Sequence, residues 1–184
     1  MQKYYQVINI PVTDFVMNKD MIPDKPKGVD IFVTSCDPKL YLHNNIYKKL
    51  SELGELHSLV FGMSAGATKN SIHIDIDSNN LEPYWPSLNI LIDGQGTMRW
   101  FSPNSPGKLL KDTTTNAIYK AWFSDYGHPI DEWNSGKIAL VRTDTPHQVW
   151  NFDTIDRRVV SIRWRKKYTW DETIDWFQSN FPSN

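Results

Sequence analysis

A single cysteine, Cys36, stands in 184 residues, so no disulfide can close within the chain. That usage fits a reducing, cytoplasmic setting. No apolar run approaches the roughly 18 residues that span a bilayer. The opening residues, Met1-Gln2-Lys3-Tyr4-Tyr5, carry no apolar stretch of the secretory kind. An excess of one charge is also missing: 20 Lys and Arg against 21 Asp and Glu leave a formal net charge of −1. With both signs interspersed, a nucleic-acid surface or a polybasic membrane patch is not expected. There is no glycine-rich phosphate loop, and hence no seat for nucleotide chemistry. Neither an internal repeat nor a low-complexity tract is present.

What remains is a chain of one-domain length, ample for a sizeable core. Residues 1–56 read as an α+β extension, with strand candidates at Tyr4–Ile10 and Val29–Thr34. Asp37 to Leu53 reads as one helix, capped by Asp37, opened by Pro38 and stopped by Gly54. From His57 onward the chain is a succession of short β-runs: His57–Met63, Ser71–Asp77, Leu88–Ile92, Thr97–Phe101, Ala117–Phe123, Lys137–Val141, His147–Phe152 and Arg157–Trp164. Asp93-Gly94, Ser102-Pro103 and Thr143-Asp144-Thr145-Pro146 supply turn chemistry between them. Residues 103–116, rich in Pro, Lys and Thr, read as a surface insertion. Residues 166–184 read as a helical tail, with a capping box at Thr169 and Glu172. Many short strands with few helices predict an all-β core over 57–165, a sandwich or barrel with flanking helices.

One stretch carries chemistry. Ser71-Ile72-His73-Ile74-Asp75-Ile76-Asp77 alternates apolar and polar residues, as a half-buried strand does. A strand turns residues i and i+2 to one face, so His73 and Asp75 stand side by side, roughly 7 Å apart along the backbone. Such a pair can grip one divalent metal, and a second histidine completes a two-histidine, one-carboxylate facial set that leaves positions open on iron(II). With 5 histidines and 21 acidic residues in the chain, the pair alone is a common accident. Its weight comes from what lies downstream.

There, Pro146 confines His147 to the start or edge of a strand. The next strand carries Arg157, Arg158 and Arg163, with Arg157, Val159, Ser161 and Arg163 sharing a face. A three-residue turn at Thr154-Ile155-Asp156 pairs His147 with Arg163 and Val149 with Ser161; a two- or four-residue turn brings Arg158 inward instead. A guanidinium buried beside a metal needs a partner, which a carboxylate ligand supplies bidentately.

The pattern His73-x-Asp75, then His147, then a basic residue ten positions on resembles the iron(II)- and 2-oxoglutarate-dependent oxygenases. Pro146–Asn151 and Arg157–Trp164 are similar to segments of their aspartyl/asparaginyl β-hydroxylase and prolyl-hydroxylase-like branches. The resemblance covers about residues 57 to 165. It implies a double-stranded β-helix, or jelly roll, with Fe(II) held by His73, Asp75 and His147. It also implies 2-oxoglutarate and O2 as cosubstrates, with Arg157 and Ser161 on the distal carboxylate. Arg158 fits the eleven-residue spacing of other branches, Arg163 is a third candidate anchor, and Asn89 resembles a position lining the cosubstrate pocket. Many aspartyl-hydroxylase-type members lack the carboxylate that Asp75 supplies, so the substrate stays open: a small molecule or a peptide side chain. Tyr84, Trp85, Trp100 and Trp122, with the loops 64–70, 78–87 and 102–132, are candidates for its walls. Two further readings use the same residues: a cupin-like metalloenzyme on manganese, nickel or zinc without 2-oxoglutarate, and a metal-free jelly-roll binding protein.

Overall fold

A computed structural model describes residues 4–67, 71–77, 81–83, 86–111, 118–134 and 137–181. The strands are β1 (Tyr5–Val7), β2 (Ile31–Cys36), β3 (Leu56–Met63), β4 (Ile72–Ile76), β5 (Ser87–Asp93) and β6 (Thr97–Trp100), followed by β7 (Lys108–Lys111), β8 (Ile118–Trp122), β9 (Asp131–Asn134), β10 (Ile138–Val141), β11 (His147–Trp150) and β12 (Arg157–Trp164). Helices α1 (Val12–Phe15), α2 (Asn44–Leu50) and α3 (Trp170–Asn180) flank them.

The strands form two antiparallel sheets of six, ordered β1-β10-β5-β12-β3-β2 and β7-β8-β4-β11-β6-β9. From β3 to β6 and again from β10 to β12, successive strands alternate between the sheets. A chain wound back and forth in this way is a jelly roll, the architecture expected from the β-runs.

The central strands of the first sheet, β10, β5 and β12, are mostly buried on both faces. One face, with Val60, Leu88, Ile90, Leu140, Val160 and Ile162, packs with Phe15, Leu50 and Phe177 in the main apolar cluster. The opposite parity on β12, from Arg157 through Ser161 to Arg163, faces the second sheet and lines a cavity between the sheets. The capping box predicted for the tail is present: Thr169 Oγ1 accepts from Glu172 N at 3.2 Å, and Thr169 N donates to the Glu172 carboxylate at 2.8 Å. Phe177 then sets its ring edge-on to Trp164, 6.1 Å between centroids.

Three expectations need correction. The helix read over 37–53 is broken into a 3-10 turn at Pro38–Leu40, α2, and a second 3-10 turn at Ser51–Leu53. Tyr41 and Leu42 lie at the break, both buried, and the Tyr41 carbonyl accepts from Met17 N at 2.7 Å. His43 N donates to the Phe15 carbonyl at 3.0 Å, and a donor spent on the N-terminal segment cannot also bond the Lys39 carbonyl as a continuous helix requires. The insertion read over 103–116 contains β7, and the stretch to 132 read as a wall loop runs into β9; residues 112–117 lie outside the described residues. β7 and β9 are the two edges of the second sheet, and their Lys, Asp and Glu side chains suit an edge that must not pair further.

Candidate metal centre

β11 lies between β4 and β6, with His147 directly opposite His73 on one side and Trp100 on the other. That register, rather than a hairpin between β11 and β12, sets the site. The pairing of His147 with Arg163 and of Val149 with Ser161 does not occur, because β11 and β12 belong to different sheets. Arg163 lies opposite His57, and Ser161 lies between Leu59 and Asn89.

The two imidazoles are 4.4 Å apart between centroids, and both residues are buried. Asp75 Oδ1 is 3.6 Å from His73 Nε2. One ligand atom from each of His73, Asp75 and His147 can be chosen so that all three lie within 4.8 Å of one another. His73 Nδ1 is 3.3 Å from the Ser71 carbonyl and His147 Nδ1 is 2.9 Å from the Thr145 carbonyl. A carbonyl can only accept, so each Nδ1 is placed to donate its proton there, which leaves Nε2 as the ring atom that can face a ligand. Metal–ligand bonds of roughly 2.0–2.2 Å bring donors to within about 3 Å of one another, a small side-chain closure from the observed spacing. Two imidazole nitrogens and one carboxylate suit iron(II), manganese(II) or a similar borderline cation. The residues therefore fit a metal.

The other carboxylate oxygen, Asp75 Oδ2, accepts from Arg163 Nη2 at 2.5 Å, and the Arg163 side chain is only 4% exposed. Arg163 thus holds a member of the donor set, and it lines the same cavity. The pairing satisfies a buried charge and fixes which oxygen of Asp75 turns toward the imidazoles.

Arg157 is different. It is buried, and its Nε has no hydrogen-bond partner among the described residues. Burial alone pulls its pKa down to about 10, with no carboxylate among the causes. It is still a cation at neutral pH, and it lines the same cavity as His73, Asp75 and His147, together with Asn89 and Ser161. The cavity measures about 70 Å³, where a single water needs ~10–15 Å³; it suits a small molecule of several heavy atoms.

Arg158 points to the outer face. Its guanidinium bonds Asp93 at 2.6 Å and the Ile22 carbonyl at 3.0 Å, and it also meets Asp24. The parity that turns Arg157 inward turns its neighbour out, so Arg158 does not reach the cavity as a cosubstrate anchor. Trp100 and Trp122 are core residues and not cavity walls: Trp100 stacks on Tyr5 at 5.8 Å, and Trp122 packs with Ile72 and Phe101. Tyr84 and Trp85 lie outside the described residues. The cavity takes walls that carried no sequence signal: Thr143 from a turn, and Ile31 and Val33 from β2.

No protein-family model and no curated protein matches the sequence. Among solved structures, the chain is similar to peruvianin-I, a cysteine peptidase from Thevetia peruviana latex, at 14% identity and a TM-score of 0.41, covering 84% of this chain and 74% of that one. It is similar to a cupin superfamily protein of Desulfitobacterium hafniense DCB-2 at 6% identity and a TM-score of 0.36, covering 78% and 84%. It is also similar to a single-site mutant of Bacillus subtilis oxalate decarboxylase at 12% identity and a TM-score of 0.39, covering 88% of this chain but 34% of that one. At such identities and scores the assignment of the jelly roll rests on the strand order itself.

Proposed function

We propose that this protein is an iron(II)- and 2-oxoglutarate-dependent oxygenase acting on a C–H bond of a small molecule or a peptide side chain. The observation that carries the reading is Arg157: a buried guanidinium without a counter-charge among the described residues, in the cavity that holds the His73, Asp75 and His147 donors. An uncompensated buried cation is costly unless an anion completes it. A small dicarboxylate with one end on the metal and the other on Arg157 would do so, by a charge-assisted bond that an arginine fork makes well.

His73, Asp75 and His147 would hold the metal on one side and leave the cavity side open. With iron bound, O2 and 2-oxoglutarate are converted to CO2 and succinate while one oxygen atom enters the substrate as a hydroxyl group. Arg157 would anchor the distal carboxylate, and Ser161 with Asn89 would flank it. Arg163 would hold Asp75 in its ligating orientation. Apolar walls such as Phe61, Val149 and Val159 exclude water around the reacting groups.

Anaerobic addition of iron(II) and 2-oxoglutarate is expected to give a weak visible charge-transfer band that His73→Ala abolishes. Aerobic incubation is expected to release succinate. A metal-dependent rise in melting temperature with neither band nor succinate would instead favour a cupin-like metalloenzyme, which the donor set also accommodates. A protein purified without chelators that carries no metal and gains no stability from one would favour a binding protein.

A further inference from the structure

The turn between β5 and β6 holds two glycines that serve different ends. Gly94 has a φ of +74°, a conformation that costs other residues energy, and a Cβ there would meet the Asp156 carbonyl oxygen at 2.6 Å. It is a turn glycine. Gly96 is not in the left-handed region, so no special backbone conformation calls for it. What singles it out is the missing side chain. A Cβ at 96 would stand 2.5 Å from Arg157 Nε, 2.6 Å from Arg157 Cδ and 2.9 Å from the Trp150 carbonyl oxygen.

We propose that Gly96 is a positioning residue for Arg157: its bare Cα is the floor on which the guanidinium stem lies, and this sets where the cation stands in the cavity. A methyl group at 96 has nowhere to go. The Trp150 oxygen is backbone, in the stretch that carries β11 and His147. Arg157 is itself buried at 6% exposure and begins β12, with its backbone registered against Met63. The part that yields is the guanidinium, and its open side is the cavity. A side chain at 96 therefore pushes the charge into the volume that an anionic ligand would occupy and off the line along which a fork meets a carboxylate. Bidentate recognition tolerates little such displacement.

The inference rests on the cosubstrate reading above, and the test separates the two. The dissociation constants of Mn(II), 2-oxoglutarate and succinate are measured by thermal shift on the full chain, without turnover. Wild type, Gly96→Ala, Arg157→Ala and the double variant are compared. Gly96→Ala is expected to weaken 2-oxoglutarate by roughly tenfold or more while Mn(II) affinity stays within about twofold, because the metal donors come from β4 and β11. In the Arg157→Ala background, where the stem is gone, Gly96→Ala should cost less melting temperature than in wild type, since the added methyl then meets a void. Unchanged 2-oxoglutarate affinity in Gly96→Ala, equal loss of metal and ligand affinity, or equal destabilisation in both backgrounds would overturn the role of Gly96 alone. A wild type that takes succinate but not 2-oxoglutarate overturns the cosubstrate reading and leaves Gly96 to be scored on succinate. A wild type that takes neither overturns both.

Discussion

At Asp75 a carboxylate serves two masters: Oδ2 is held by Arg163, and Oδ1 turns toward the His73 imidazole. Breaking a buried ion pair from one side generally costs about 3–5 kcal/mol. Arg163→Leu is accordingly expected to destabilise the metal-free protein by about 3 kcal/mol in urea denaturation. With saturating Mn(II) the loss should shrink, because the metal then compensates the same carboxylate. Equal losses with EDTA and with Mn(II) would reduce Arg163 to packing. His57, across the strand pair from Arg163, has its pKa lowered to about 4, first by burial and then by the charges of Arg163 and Arg165. The unfolded chain binds this proton near pH 6.5, whereas the folded protein resists it until about pH 4. Its contribution to stability is therefore intact above pH 6.5 and is lost as the pH falls from there toward 4. His57→Gln should flatten the acid limb of the stability profile in that window; an unchanged difference between pH 6.5 and 4 would show the group is not held neutral.

Among elements, α3 shows how a local signal and a tertiary contact combine. The Thr169 and Glu172 capping box starts the helix, and Phe177 fastens it to Trp164 under the first sheet. Thr169→Ala is expected to cost about 1 kcal/mol. Phe177→Ala should cost about 3–5 kcal/mol, since the ring is almost fully buried. Chemical denaturation ranks the two, and a reversed order would mean that the cap rather than the packing holds the tail. Helix α3 and strand β12 were legible because caps and a run of β-branched residues act locally. Strands β7 and β9 were not, because Lys108-Leu109-Leu110-Lys111 and Asp131-Glu132-Trp133-Asn134 carry edge-strand polarity that reads as loop. The helix over 37–53 had the right spacing, yet its interruption depends on a hydrogen bond from His43 to Phe15, far away in the chain.

For the whole molecule, the N-terminal residues are woven into the roll. β1 and β2 are the two edges of the first sheet, Phe15 lies in the main apolar cluster, and Arg158 holds the Ile22 carbonyl and Asp24. Thermal unfolding is expected to be a single transition by circular dichroism and by tryptophan fluorescence alike; two separated transitions would show that the N-terminal part melts apart from the roll. A metal that binds only the folded state adds about 2.7 kcal/mol at a hundredfold excess over its dissociation constant, a rise of roughly 5–10 °C for a chain of this size. His147→Ala should abolish the rise without changing the transition in EDTA by a comparable amount.

The sequence by itself determined the β-rich class, the shared face of His73 and Asp75, the strand start at His147 and the common parity of Arg157, Ser161 and Arg163. All of these follow from the two-residue period of a strand and from local turn and cap chemistry, which need no knowledge of neighbours. Only the tertiary structure decided that β11 and β12 part into opposite sheets, so that His147 meets His73 while the arginine face arrives from across the cavity. It also decided that Arg163 is taken by Asp75 while Arg157 stays without a counter-charge among the described residues, and that Gly96 lies beneath it. Strand parity says which side chains share a face; which face meets which, and at what distance, is set by how two sheets stack, and that is a property of the whole chain.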